Sequence, residues 1–305
     1  MTKISRTDVD AVIETQVANE IFQGVVTNSK ALQMFRRLPN MTSDKTKLRI
    51  LDSLPIAYFV DETTDNGRKN LTKMAWANKY INAAEIAVIV PIKENDLADA
   101  DIDIWAQVRP RLVEAFGRKI DDAILNGVGK PNDWRKGLIP SIVDAGANVT
   151  ETGHLYSDIN DVMTKVEESG YNVTGLVGGV GLKGKFRMMT DTTGQPLQST
   201  EIGSLARTFV DNGTWDKDLA TLVAGDFNQA VYAIRNDITY KVLTEAVIQD
   251  PSDGSILYNL AQDDMVALRV VMRLGWEIPN PVNAENETSA RFPFASIKPE
   301  QTASL

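Results

Sequence analysis

The chain has 305 residues, 43% of them hydrophobic, which is enough for a sizeable core and fits about two domains. Lys and Arg number 32 against 41 Asp and Glu, a net charge of -9 that argues against gripping nucleic acid through its phosphates. Cysteine is absent and His154 is the one histidine, so disulfides, thiolate or histidine-rich metal centres and a Ser-His-Asp triad elsewhere are excluded by count.

No run of about 18 apolar residues occurs, so no membrane-spanning helix is expected, and the first residues lack a signal-peptide core. Residues 7–26 have the period of an amphipathic helix, with Val9, Val12, Ile13, Val17, Ile21 and Val25 on one stripe and Thr7 with Asp10 as a capping pair. That stripe must be buried in its own subunit or in a neighbour. Val9, Ile13, Val17 and Ile21 are therefore candidate assembly contacts.

Residues 46–62 read as extended, a turn follows at Asp65-Asn66-Gly67-Arg68, and residues 71–92 read as extended again. Asn-Gly is a strong hairpin signal because a type I′ turn needs positive φ at both central positions. Ordinary strands run about 5–6 residues. An arm of about 20 residues at about 3.3 Å each reaches about 65 Å. A domain of this size does not cover such an arm, so it is expected to protrude and meet another molecule. Its tip (Asp65, Asn66, Gly67, Arg68 and Lys69) is the second candidate assembly contact.

A long helix is expected over 99–126. Asp99, Asp101 and Asp103 favour its positive end, Trp105, Val108, Leu112, Phe116, Ile120 and Ile124 form its apolar face, and Gly127 stops it. Pro110 must interrupt one backbone bond, by a kink or a restart. A turn-rich passage over 127–153 leads to a helix over 157–169 with Ile159, Val162, Met163 and Val166 inward. Residues 173–179 read as a buried strand and 181–191 as a helix start. Strand character returns within 220–248 and in the alternating stretch 266–277. The mixture is α+β, without a regular βαβ rhythm.

Gly179-Val180-Gly181-Leu182-Lys183-Gly184-Lys185 satisfies GxGxxG and the GxxxxGK part of a P-loop. Phe186 stands where a P-loop needs Ser or Thr for Mg²⁺, and the segment just beyond, TTGQPLQSTEIGSL, does not read as the second parallel strand of a dinucleotide fold. A glycine-rich strand-to-helix turn is the favoured reading. His154 is expected at the surface or at a helix cap. Asp99, Asp101 and Asp103 lack the glycine and glutamate of an EF-hand. Asp121-Asp122 is read as a solvated face or a salt-bridge partner, and Arg36, Arg37, Lys45, Lys47 and Arg49 as a locally basic stretch for water or an acidic neighbour. No catalytic, cofactor or metal constellation emerges.

Residues 84–127 (AEIAVIVPIKENDLADADIDIWAQVRPRLVEAFGRKIDDAILNG), 223–246 (VAGDFNQAVYAIRNDITYKVLTEA) and 266–284 (VALRVVMRLGWEIPNPVNA) resemble, in order and spacing, segments of the major capsid protein family of tailed bacteriophages, the Hong Kong 97 fold. The resemblance implies an N-terminal arm (1–44), an extended hairpin loop (45–84), a P domain with a spine helix (85–130 and 236–305) and an A domain (131–235). It implies a non-enzymatic subunit whose hexamers and pentamers enclose double-stranded DNA in an icosahedral shell without sequence-specific binding. The virion would be assembled in the host cytoplasm, with no membrane. With some 45 residues before the hairpin, a separate scaffolding protein is expected, together with a portal and, in some shells, a decoration protein. Lys69 and Lys73 lie near the loop tip, but Val271-Met272 supplies no acid, so the lysine–asparagine cross-link of some relatives is not expected. An encapsulin-like shell around a cargo enzyme is the alternative on the same fold. A nucleotide-binding enzyme using Gly179–Lys185 is the alternative from another class.

Overall fold

The structure is a computed structural model that describes residues 21, 23–55, 71–72, 74–95, 104–189, 205–235, 239–286 and 291–300. Residues Val9, Ile13, Val17, Asp65 to Lys69, Lys73 and the triplet Asp99, Asp101 and Asp103 lie outside these.

One sheet is built around the long strand β13 (Met265–Glu277). β4 (Ala84–Lys93) pairs with it antiparallel from Met265↔Lys93 to Leu274↔Ala84. On its other edge lie β10 (Thr239–Leu243) and β9 (Val231–Ile234), and β1 (Arg36–Arg37) joins β9 in parallel. Leu268, Val270, Met272, Leu274 and Trp276 are all buried, while Arg269 and Arg273 are exposed, as the alternation predicts.

A second sheet has the order β5 (Asn148–Thr150), β14 (Phe294–Lys298), β8 (Leu222–Gly225), β6 (Gly175–Gly179), β7 (Ala206–Val210). Successive side chains alternate between its two faces. Leu176, Leu222, Ala224, Ala295 and Ile297 pack with Ile159, Val162, Met163 and Val166 of a covering helix (Leu155–Glu168). Val177, Val223 and Phe294 face the main core. The chain division at 235/236 therefore does not follow the sheets: β9 precedes it and sits in the first, and β14 follows it and sits in the second.

The main core lies between the sheets and the spine helix α2 (Ile104–Asp121), which follows the short α1 (Lys30–Met34). Leu112, Phe116, Ile120 and Ile124 are buried, at about 1.5–3 kcal/mol each relative to exposure. The helix is continuous through Pro110, then widens into a π turn (Asp122–Asn126). Gly127 ends it at φ +77°, with its N–H on the Asp122 carbonyl. A side chain there would be strained, which is why glycine is the stop.

Two further helices follow, α3 (Leu138–Asp144) and α4 (Leu155–Glu168), and α5 (Leu182–Arg187) comes after β6. α3 occupies the passage read as turns. Pro140 sits in its first turn, where a missing N–H breaks no intrahelical bond. After α5, β7 pairs in parallel with β6 from Gly175↔Ala206 to Gly179↔Val210 and completes a strand–helix–strand unit; of the segment TTGQPLQSTEIGSL before it, Leu205 alone is among the described residues. No described helix is long and apolar enough to cross a membrane.

Candidate assembly surfaces

The extended hairpin begins with β2 (Lys45–Ser53) antiparallel to β3 (Ala75–Asn82). Its root is fixed by two devices. Ile81 and Leu48 face inward against Met41, Val231 and Ala233. At the bend between β3 and β4, the Trp134 indole N–H donates to the Asn82 carbonyl at 3.0 Å, and the Asn82 amide donates to the Asp133 carbonyl at 2.9 Å. Since β4 is the edge partner of β13, the returning arm is a direct continuation of the first sheet. The arm is thus aimed by β13, the longest described strand.

The opposite face of this hairpin points to solvent. Cross-strand partners share a face, and the register puts Lys45, Lys47, Arg49 and Leu51 with Asn82, Tyr80, Asn78 and Trp76. Trp76 is 61% exposed and Tyr80 50%. A large exposed aromatic pair flanked by cations has the character of a binding surface.

The helical residues 21 and 23–28 precede α1. Ile21 and Val25 are buried in this chain's own core beside Phe116 and Ile120. Ser29 caps α1, and Asp121 holds that cap in place. Its Oδ1 accepts from Ser29 Oγ at 2.6 Å and Ala31 N at 3.0 Å, and its Oδ2 accepts from Lys30 N at 3.0 Å and Asn212 Nδ2 at 2.6 Å. Burial pushes the Asp121 carboxyl above the usual range, against the pull of those donors. A solvated role for Asp121 is thereby corrected. It is fully buried and ties the N-terminal segment, the spine helix and the second sheet together.

The glycine-rich turn opens beside a cavity of about 310 Å³, lined in part by Glu151, Gly179, Lys185 and Trp215. A Cβ at Gly179 would lie 2.9 Å from the Trp215 ring, whose indole N–H donates to the Ala220 carbonyl. The first glycine of the motif thus makes room for an indole. Lys185 is engaged by Glu151, which also accepts from Thr221 Oγ1 at 2.9 Å. Although burial opposes ionisation, these two donors hold the Glu151 carboxyl below its usual range. α5 is a six-residue helix. Calorimetric titration with ATP or NAD is expected to give no saturable heat, and a saturating one-to-one isotherm would revive the enzyme reading. His154 takes the N-cap position of α4, exposed and without a side-chain capping bond, and Asp158 receives the Thr152 N–H instead. Among the described residues no group of three or more His, Cys, Asp or Glu is placed to hold a metal ion.

A family model described as the phage capsid family matches residues 10–284. A protein named as the major capsid protein of Staphylococcus phage 80alpha is 26% identical over 274 residues, covering 88% of this chain and 82% of its own. A solved structure from Microbacterium phage Oxtober96 superposes with a TM-score of 0.78 at 34% identity, over 90% of this chain and 91% of the other. Another from Mycobacterium phage Cain superposes with a TM-score of 0.79 at 28% identity, over 99% of this chain and 100% of the other.

Proposed function

This chain belongs to the phage capsid family and has the Hong Kong 97 fold, and from that premise we propose that it is the major structural subunit of a virion head. Copies assemble into hexamers and pentamers, and these close an icosahedral wall around double-stranded DNA. The observation that carries this reading is the β2–β3 hairpin, rooted in the central sheet while its other face stays exposed. A net charge of -9 fits a wall that contains a polyanion without holding it. The three relatives named above come from phages, which favours a virion over an encapsulin-like cargo shell.

In this reading residues 1–44 are the arm and 45–84 the extended loop. The first sheet with the spine helix is the P domain, and the second sheet with α4 is the A domain. The tip residues Asp65, Asn66, Gly67, Arg68 and Lys69 and the arm residues Val9, Ile13 and Val17 meet neighbouring subunits. Ile21 continues that stripe into the subunit's own core. A separate scaffolding protein, a portal and a decoration protein are the further partners the reading calls for, with assembly in the host cytoplasm and no membrane.

Negative-stain electron microscopy of the purified chain, alone and co-expressed with its neighbouring genes, is expected to show shells or capsomer rings. Deletion of residues 62–72 should leave a folded subunit that forms no stable shell, and normal shells would remove the role given to the tip. Truncation belongs at residue 20, because cutting further strips buried Ile21 and Val25 from the core.

A further inference from the structure

Two exposed surfaces of the described chain are left over by its own packing, and they differ in charge. The first is the outer face of β2–β3, with Trp76 and Tyr80 among Lys45, Lys47 and Arg49. The second is the small hairpin of β11 (Val247–Gln249) and β12 (Ile256–Asn259). Its Val247, Ile256, Leu257 and Tyr258 are all exposed, Ile256 by 64%. A two-stranded hairpin with so much apolar surface in water is marginal by itself.

Charge distinguishes the two. Residues 242–268 hold Glu245, Asp250, Asp253, Asp263 and Asp264 and not one Lys, Arg or His, so over half of the net charge of -9 sits in this segment. The turn is built to keep its carboxylates ionised. Asp250 accepts from Ser252 Oγ and from Ser252 N at 2.8 Å, and Asp253 from Ser255 N at 2.9 Å, and these donors hold both carboxyls below the usual range. Among the described residues, no ion pair engages Lys45, Lys47, Arg49 or any of the five acids.

We propose that the basic aromatic face of β2–β3 docks on the acidic apolar β11–β12 hairpin of a second copy of this chain. Both surfaces are exposed in the same chain, so they do not cover one another within it. Aromatic side chains with Arg are the residue types that dominate interface energies. Opposite charge at the rim fixes register and disfavours pairing of like hairpins. The pairing rests on the self-assembly reading above and names which surface of the neighbour receives the arm.

The test uses assembled wild-type particles made from an equal mixture of ¹⁴N and ¹⁵N subunits. A zero-length carbodiimide joins amines to carboxylates in contact, and mass spectrometry then separates links between copies from links within one. Links between copies from Lys45 or Lys47 to Glu245, Asp250 or Asp253 are expected. Particles whose links from these lysines go elsewhere overturn the pairing and leave the shell reading standing. A wild-type chain that forms no higher species under any condition overturns both. As a second measurement, K45E/K47E/R49E alters exposed positions only and should lower the assembled fraction at least about tenfold at low salt, since like charges then face each other. Adding E245K/D250K/D253K to that chain should recover assembly, and unchanged assembly of the triple reversal overturns the proposal.

Discussion

Asp121→Ala should destabilise the isolated subunit by about 3–5 kcal/mol, because it strands hydrogen-bond donors inside a sealed core. Asp121 is fully buried and accepts from Ser29 Oγ, Lys30 N, Ala31 N and Asn212 Nδ2. Alanine reaches none of them. The loss falls on three elements at once, since the donors come from the cap of α1 and from the loop after β7. Urea denaturation of the disassembled subunit measures the loss, and protease should cut the released N-terminal segment faster. A change under 1 kcal/mol would show that water replaces the carboxylate and that the latch is not structural.

The same group gives a signed dependence on pH. Burial holds its carboxyl above the usual range, so the folded chain binds this proton more tightly than the unfolded chain. That contribution is complete below the unfolded value of about 4 and is lost as pH rises through the folded one. Asp121→Asn does not titrate. The stability gap between parent and variant should therefore narrow as pH rises from about 4 to 7. A gap that widens instead would mean that the four donors outweigh burial.

Periodic features were legible in the chain, and features set by distant partners were not. The spine helix could be read because Leu112, Phe116, Ile120 and Ile124 repeat every four residues and Gly127 closes the run. β13 could be read because Arg269 and Arg273 interrupt an apolar run on one face only. The role of Asp121 could not, since two adjacent acids on a helix look solvated until Ser29 arrives from 92 residues away. α3 was hidden by Gly137 and Pro140, which punctuate turns and open helices equally well. β7 was hidden because it lies at the end of its sheet beside β6 alone, and Ala206 and Arg207 remain exposed. Of the candidate contacts, the hairpin is legible in its two extended runs, but its described strands are nine and eight residues long, because residues 84–93 pair with β13 in the first sheet instead of lengthening the arm. The face that carries Trp76 and Tyr80 needed the observed register with β2.

Gly275→Ala tests whether the hairpin is aimed by the central strand. A Cβ at Gly275 would lie 2.4 Å from the Asn82 carbonyl oxygen and 2.6 Å from Ile81 Cγ2. The first of these is backbone at the bend where β3 becomes β4, and it already accepts the Trp134 indole N–H. It has little room to yield, so the variant should lose about 3 kcal/mol, at the upper end for overpacking. The strain also has a direction, because relief comes from lifting the hairpin root away from β13. Subunits that still fold should therefore carry a misaimed arm and give few or aberrant shells. Gly184→Ala is the control, since a Cβ there meets nothing within 4 Å and sits inside α5. It should be neutral or stabilising by up to about 1 kcal/mol. Wild-type stability and normal particles from Gly275→Ala would show that the close approach of these two strands does not set the direction of the arm.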